Sequence, residues 1–158
     1  MKIQEAIVEQ LREHHLTIAT AESCTGGMVA ATLVDVSGVS ECFAEGYVTY
    51  SNDIKHKNLG VSQKTLDTIG AVSRETAVQM AAGVRRKTHA DISIATTGYA
   101  GPLAGDDGIP VGRVYVSCSY GNRIITRQYT IHGNRCQVRR RATRYALELL
   151  WDCLMVRS

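Results

Sequence analysis

An apolar extended run, Leu16 to Ala21, stops at Glu22-Ser23-Cys24-Thr25-Gly26-Gly27, and from Met28 the chain resumes as an almost continuous apolar segment through Val34. This pattern predicts a strand, a tight glycine turn and a buried helix, because two glycines permit a sharp change of direction and close approach to the backbone. Such a turn leaves the first N–H groups of the helix unpaired at the carboxyl end of a strand. A hydroxyl, a thiol and a carboxylate stand side by side there. A second exit of the same kind follows Ile92 and Ile94, which alternate with polar residues and run into Thr96-Thr97-Gly98-Tyr99-Ala100-Gly101-Pro102. In open α/β sheets ligands sit beyond the carboxyl ends of strands, so the two exits are candidates for one cleft.

The remaining periodicity surrounds these turns with helices. Ile3, Ile7, Val8 and Leu11 share one helical face opposite Glu5, Glu9 and Glu13, which predicts an amphipathic first helix ending near His14-His15. Phe43 to Tyr50 holds the aromatic and β-branched residues of a strand. Short helices are predicted through Leu59, stopping at Gly60, and from Ser62 to Ile69; Ser73 then caps a longer one ending at Arg85-Arg86-Lys87. Val114, Val116 and Cys118 face Ile124, Thr126 and Gln128 across Gly121-Asn122, a tight-hairpin signal. Val138, Ala142, Tyr145, Leu149 and Cys153 recur at helical spacing to the end. Helices before, between and after strands predict an α/β fold, a three-layer α/β/α sandwich with a mixed, mostly parallel sheet. A length of 158 residues without linker or repeat predicts a single domain over residues 1–158.

Composition narrows the chemistry. No apolar run approaches the roughly 20 residues of a membrane span. The segment Lys2 to His15 is too polar for a secretory leader, so a cytoplasmic location is expected. Cys24, Cys42, Cys118, Cys136 and Cys153 are scattered and contain no Cys-x-x-Cys pair, which speaks against a disulfide framework and against a zinc site. A net charge of +3 is too small to indicate nucleic-acid binding.

Ser23 has two readings, a nucleophile needing a base or a cap for the following helix. The N–H groups around Thr25, Gly26 and Gly27 are candidates for holding an oxyanion or a phosphate. Cys24 is a rival nucleophile, since a helix N-terminus lowers a thiol pKa. No Gly-x-Ser-x-Gly elbow occurs, and none of the five histidines has a context that supports a triad. Lys55 follows Tyr50-Ser51-Asn52-Asp53-Ile54; it is either a solvated helix lysine or, if buried, a base. Arg135 and Arg139 lie four apart on one side of the last helix, where they are placed to bind an anion, while Arg141 and Arg144 form a solvated basic face.

Taken together, six segments resemble the CinA C-terminal domain family. They are Thr20 to Gly27, Gly46 to Asn52, Gly70 to Ser73, Thr97 to Pro102, Pro110 to Gly112, and Gly133 to Arg140, in family order along almost the whole chain. The resemblance implies a nicotinamide-mononucleotide deamidase, an amidohydrolase working without metal or cofactor on a small-molecule nucleotide, as a homo-oligomer, with a dimer expected. It also implies Ser23 as nucleophile, Lys55 as activating base and Tyr50 beside them, with Thr97 and Gly98 in the substrate site and Arg135 as an anion contact. The sequence departs from the family pattern at three places, and the altered loop among them motivates an alternative, a catalytically silent paralogue that binds a nucleotide or a protein. Leu103 to Ile109 lacks the family's glycine run with Glu-Lys, Gly133-Asn134-Arg135 replaces Gly-Asp-Arg, and Tyr99 stands where isoleucine is common.

Overall fold

The strand Ile18–Glu22 (β1) is buried along its whole length, which requires neighbours on both edges and layers on both faces. It has them. In this computed structural model, which describes residues 1–156, β1 pairs in parallel with β2 (Phe43–Val48) on one edge and β3 (Ile92–Gly98) on the other. β3 then pairs antiparallel with β4 (Arg113–Tyr120), and β4 antiparallel with β5 (Arg123–Thr130), giving the order β2-β1-β3-β4-β5. Only β4 runs against the others, so the sheet is mixed and mostly parallel. Tyr120 pairs with Arg123, which leaves Gly121-Asn122 as the two-residue hairpin loop that the dipeptide predicted; the tight loop sets Val114, Val116 and Cys118 opposite Tyr129, Arg127 and Ile125, one residue away from the expected partners.

Helices α1 (Ile3–Glu13), α2 (Met28–Val34) and α6 (Arg135–Met155) cover one face, where Ile7, Leu11, Leu33 and Leu149 bury against Ile18, Ile92 and Val116. On the other face α3 (Asn52–Leu59), α4 (Gln63–Thr68) and α5 (Arg74–Thr88) set Leu59, Leu66, Met80 and Val84 against Ala19, Ala21 and Ala95. Alanines on that side of the sheet bring the helices close. Ser51, Ser62, Ser73 and Asn134 each accept a backbone N–H two or three residues into the helix they cap.

Two strand limits differ from the periodicity. β1 starts at Ile18, because Thr17 donates its N–H and hydroxyl to Asp91 outside the ladder. β2 stops at Val48, since the N–H of Thr49 bonds the carbonyl of Glu22 and the chain then turns into α3. The second difference leaves the Thr49 carbonyl to accept from Lys55 and places Tyr50 on the wall of the site.

The close contact of α3 with α5 gives the first prediction. A Cβ on Gly83 would collide with the backbone carbonyl of Leu59. Alanine gains about 1 kcal/mol over glycine in a helix, but overpacking against a backbone group that cannot swing aside falls in the upper part of the usual range, about 2–3 kcal/mol, a net loss of about 1–2 kcal/mol. Gly83→Ala is therefore expected to lower the melting temperature, by about 2–8 °C in a chain of this size. A Tm at or above wild type in a thermal scan would contradict this packing.

Candidate active site

β1 ends on Glu22, whose side chain is 1% exposed and accepts the hydroxyl of Thr25 at 2.6 Å and the N–H groups of Val29 at 2.8 Å and Ala30 at 3.1 Å. The carboxylate thus caps α2 from inside the protein. Ser23 is released from that task. Its N–H donates to the Thr96 carbonyl at 3.1 Å, anchoring it against β3, and the N–H of Gly26 closes the turn on the Ser23 carbonyl at 3.0 Å.

The expected phosphate or oxyanion cradle of Thr25, Gly26 and Gly27 lies beside these contacts. The side chain of Thr25 is fully buried between Glu22 and Thr96, the Gly26 amide is used within the turn, and the first helical amides already hold a carboxylate. Gly27 is needed for a different reason: its φ of 99° starts α2 from a left-handed conformation. None of the three lines the cavity described below.

Lys55 comes from the first turns of α3, which Ser51 fixes by accepting the Ile54 N–H at 3.2 Å. Its side chain is 1% exposed, so the solvated-lysine reading is excluded. The ammonium nitrogen donates to Ser23 Oγ at 2.9 Å and to the Thr49 carbonyl at 2.6 Å. No carboxylate pairs with it among the described residues. Burial lowers its pKa from 10.5 to about 8, which the nearby Cys24 offsets only in part. Cys24 moves oppositely. Burial raises its thiol to about 12, against the lowering expected of a helix N-terminus, so at neutral pH it is a protonated thiol.

Ser23, Lys55 and Cys24 open into a cavity of about 710 Å³, whose walls include Tyr50, Asn52, Thr97, Gly98 and Tyr99. That volume suits a small organic ligand. The Thr97 hydroxyl is buried and donates to the Ala71 carbonyl at 2.7 Å, tying β3 to the segment before α5. Arg135 stands outside the lining, where its guanidinium donates to the Tyr50 hydroxyl and to the Gly101 carbonyl, both at 2.7 Å. Arg139 does not join it. One helical turn along α6 it donates to the carbonyls of Cys24 at 3.0 Å and Thr25 at 3.2 Å, so the anion site expected of this pair is not formed.

Asn52, Asp106 and Asp107 also line the cavity, and the sequence reading did not single them out as site residues. Asp107 accepts the Tyr99 hydroxyl at 2.7 Å and the Ile109 N–H at 3.0 Å. Partial burial and then this hydrogen bond raise Tyr99 to about 12, while the same bond holds the Asp107 carboxyl below its usual range. No group of three or more His, Cys, Asp or Glu side chains is placed to hold a metal ion among the described residues.

The profile of the CinA C-terminal domain matches residues 1–154. The chain belongs to the CinA C-terminal domain family. A CinA-like protein of Kosmotoga olearia is 43% identical over 97% of this chain and 37% of its own length. A competence-damage inducible protein of Clostridioides difficile is 47% identical over 94% of this chain and 35% of its own. The chain therefore spans about a third of the length of these curated relatives. The crystal structure of a CinA superfamily protein from Escherichia coli shares 36% identity with a TM-score of 0.93, over 96% of this chain and 88% of that one. A competence/damage inducible protein from Agrobacterium tumefaciens gives 0.87 at 37% identity, over 96% of each chain. The α/β fold with its mixed five-stranded sheet is thus the fold of solved CinA proteins. No helix of the described residues is long and apolar enough to cross a membrane.

Proposed function

We propose that this CinA domain is an amidohydrolase that converts nicotinamide mononucleotide to nicotinate mononucleotide and ammonia, with Ser23 as nucleophile and Lys55 as base. The observation that carries the reading is the 2.9 Å contact between Lys55 Nζ and Ser23 Oγ at the wall of a small-molecule cavity. A buried amine with a pKa near 8 exists partly as the free base at neutral pH, and only that form accepts the Ser23 proton. The family resemblance supplies the substrate.

In the first half-reaction Ser23 Oγ bonds to the carboxamide carbon and its proton passes to Lys55. The tetrahedral intermediate then breaks the C–N bond, and Lys55 returns the proton to the departing ammonia. Water attacks the resulting ester with Lys55 again as base, which frees the carboxylate and regenerates the Ser23 hydroxyl. With the Gly26 amide engaged, the Cys24 N–H is the donor for the oxyanion; it follows the nucleophile and donates to no backbone carbonyl among the described residues. Tyr50, Thr97 and Gly98 line the cavity, and Arg135, held just outside it on the Tyr50 hydroxyl, is the cation assigned to the phosphate end of the substrate.

The test is to incubate purified protein with nicotinamide mononucleotide and follow ammonia and the acid product. Stoichiometric release of both is expected. A folded wild type without turnover removes the reading. The second reading, a catalytically silent binding module, draws on the altered loop Leu103 to Ile109, which contributes Asp106 and Asp107 to the cavity wall. Calorimetry separates the two, because tight mononucleotide binding without ammonia release belongs only to the binding module.

A further inference from the structure

We infer that Arg139 is a positioning residue for the Ser23 turn: its guanidinium, held behind the turn by α6, orients the peptide groups that flank the nucleophile. This rests on the deamidase reading of the same site.

Arg139 is half-buried and makes no ion pair with a carboxylate among the described residues. Its charge is spent instead on two carbonyls, those of Cys24 through Nε at 3.0 Å and of Thr25 through Nη2 at 3.2 Å. These residues directly follow Ser23. In a trans peptide the carbonyl and the N–H point in opposite directions, so pulling both carbonyls toward α6 turns the N–H groups of Thr25 and Gly26 away from it. The Gly26 N–H is thereby aimed at the Ser23 carbonyl, which in turn fixes the plane of the Ser23–Cys24 peptide and the direction of the Cys24 N–H. Every peptide plane from Ser23 to Gly26 is set through this guanidinium.

Two further features belong with the assignment. Gly26 lies at φ +59°, and a Cβ there would stand 3.0 Å from Arg139 Nη2, so the turn is glycine where the guanidinium packs on it. On the opposite side Glu22 holds Thr25 and the start of α2, so the turn is gripped between a buried carboxylate and a cation that do not touch each other. A cation fixed beneath the turn also favours negative charge developing above it. A lysine, with a point charge instead of a planar fork, cannot hold two carbonyls in the same way.

The test uses Arg139→Lys and Arg139→Ala in the full chain. Displacing a nucleophile by a fraction of an ångström costs on the order of 10- to 100-fold in rate. For Arg139→Lys a kcat loss of that size is expected, with KM within about threefold of wild type, since Arg139 does not line the cavity. Added guanidinium at non-denaturing concentration is expected to restore part of the kcat of Arg139→Ala and none of that of Ser23→Ala. Wild-type kcat in both variants overturns the inference, as does a kcat loss that follows the loss of Tm and is not rescued.

Should wild type show no turnover, the deamidase reading fails and the same question goes to labelling of Ser23 by phenylmethylsulfonyl fluoride, followed by mass spectrometry. Labelling slowed about tenfold or more in Arg139→Lys sustains the positioning role. Equal labelling rates, or an unlabelled Ser23 in wild type, reject it.

Discussion

Ser23→Ala is expected to reduce deamidation of nicotinamide mononucleotide on the order of 10⁴-fold or more, leaving a folded protein that still binds the substrate. The size of the effect follows from the absence of a substitute. Water admitted to the alanine site would have to be activated by Lys55 without a covalent intermediate, which raises the barrier of the C–N cleavage itself. Stability changes little by comparison. The Ser23 hydroxyl contributes one hydrogen bond to Lys55, worth about 1 kcal/mol, and the main-chain bonds to Thr96 and Gly26 are untouched. Cys24→Ala is the companion variant. It keeps the hydroxyl and the main-chain donor, so turnover within about tenfold of wild type is expected, consistent with a thiol raised to about 12. Ammonia release at saturating substrate, with circular dichroism as the fold control, decides it. A dead Cys24→Ala beside an active Ser23→Ala would transfer the nucleophile to the thiol.

Much of this architecture is legible in the sequence because it is dictated locally. Glycines at 26, 27, 60 and 121 take positive φ at the turns where they interrupt the periodic runs, and each marks the end or start of an element. Strand order is different. Whether β1 pairs with β2, β3 or both depends on non-local contacts that no local pattern encodes, although burial on both faces already requires β1 to be central. The same distinction explains what was missed in the site. Glu22 stands in the conspicuous stretch, yet its side chain caps α2 over residues 29 and 30 and removes Ser23 from that role. Arg135 and Arg139 share a helical face, but the surroundings of α6 change within one turn, from the Tyr50 hydroxyl to the carbonyls of the Ser23 turn. Lys55 was ambiguous for a related reason. Between Asp53 and Lys57 it sits in a charged, solvent-facing pattern, and only the packing of α3 buries that one position.

That burial leads to the second large effect. Lys55→Met is expected to lower turnover by about 10²- to 10⁴-fold, the usual contribution of a positioned general base, while altering the pH dependence of stability in a way no exposed lysine would. The folded protein releases the Lys55 proton near pH 8, whereas the unfolded chain keeps it to about 10.5. Below pH 8 both states are protonated and Lys55 contributes no slope. Between pH 8 and 10.5 the unfolded state holds more protons, so wild-type stability rises with pH, by about 3 kcal/mol in all if no other group intervenes. Methionine removes both the burial cost of the charge and the slope. It also leaves the Thr49 carbonyl without its donor, at about 1–3 kcal/mol, so stability at pH 7 is expected near or slightly above wild type. The difference between the two proteins should then turn in favour of wild type as pH rises, which urea unfolding at several pH values between 7.5 and 9.5 measures. Activity gives the matching signal. Because only the neutral amine accepts the Ser23 proton, wild-type kcat/KM should climb with pH to a midpoint near 8 and then level. A profile flat through pH 8, or a stability difference that does not move over the same interval, would exclude Lys55 as the base and leave it a buried structural donor to Ser23 and Thr49.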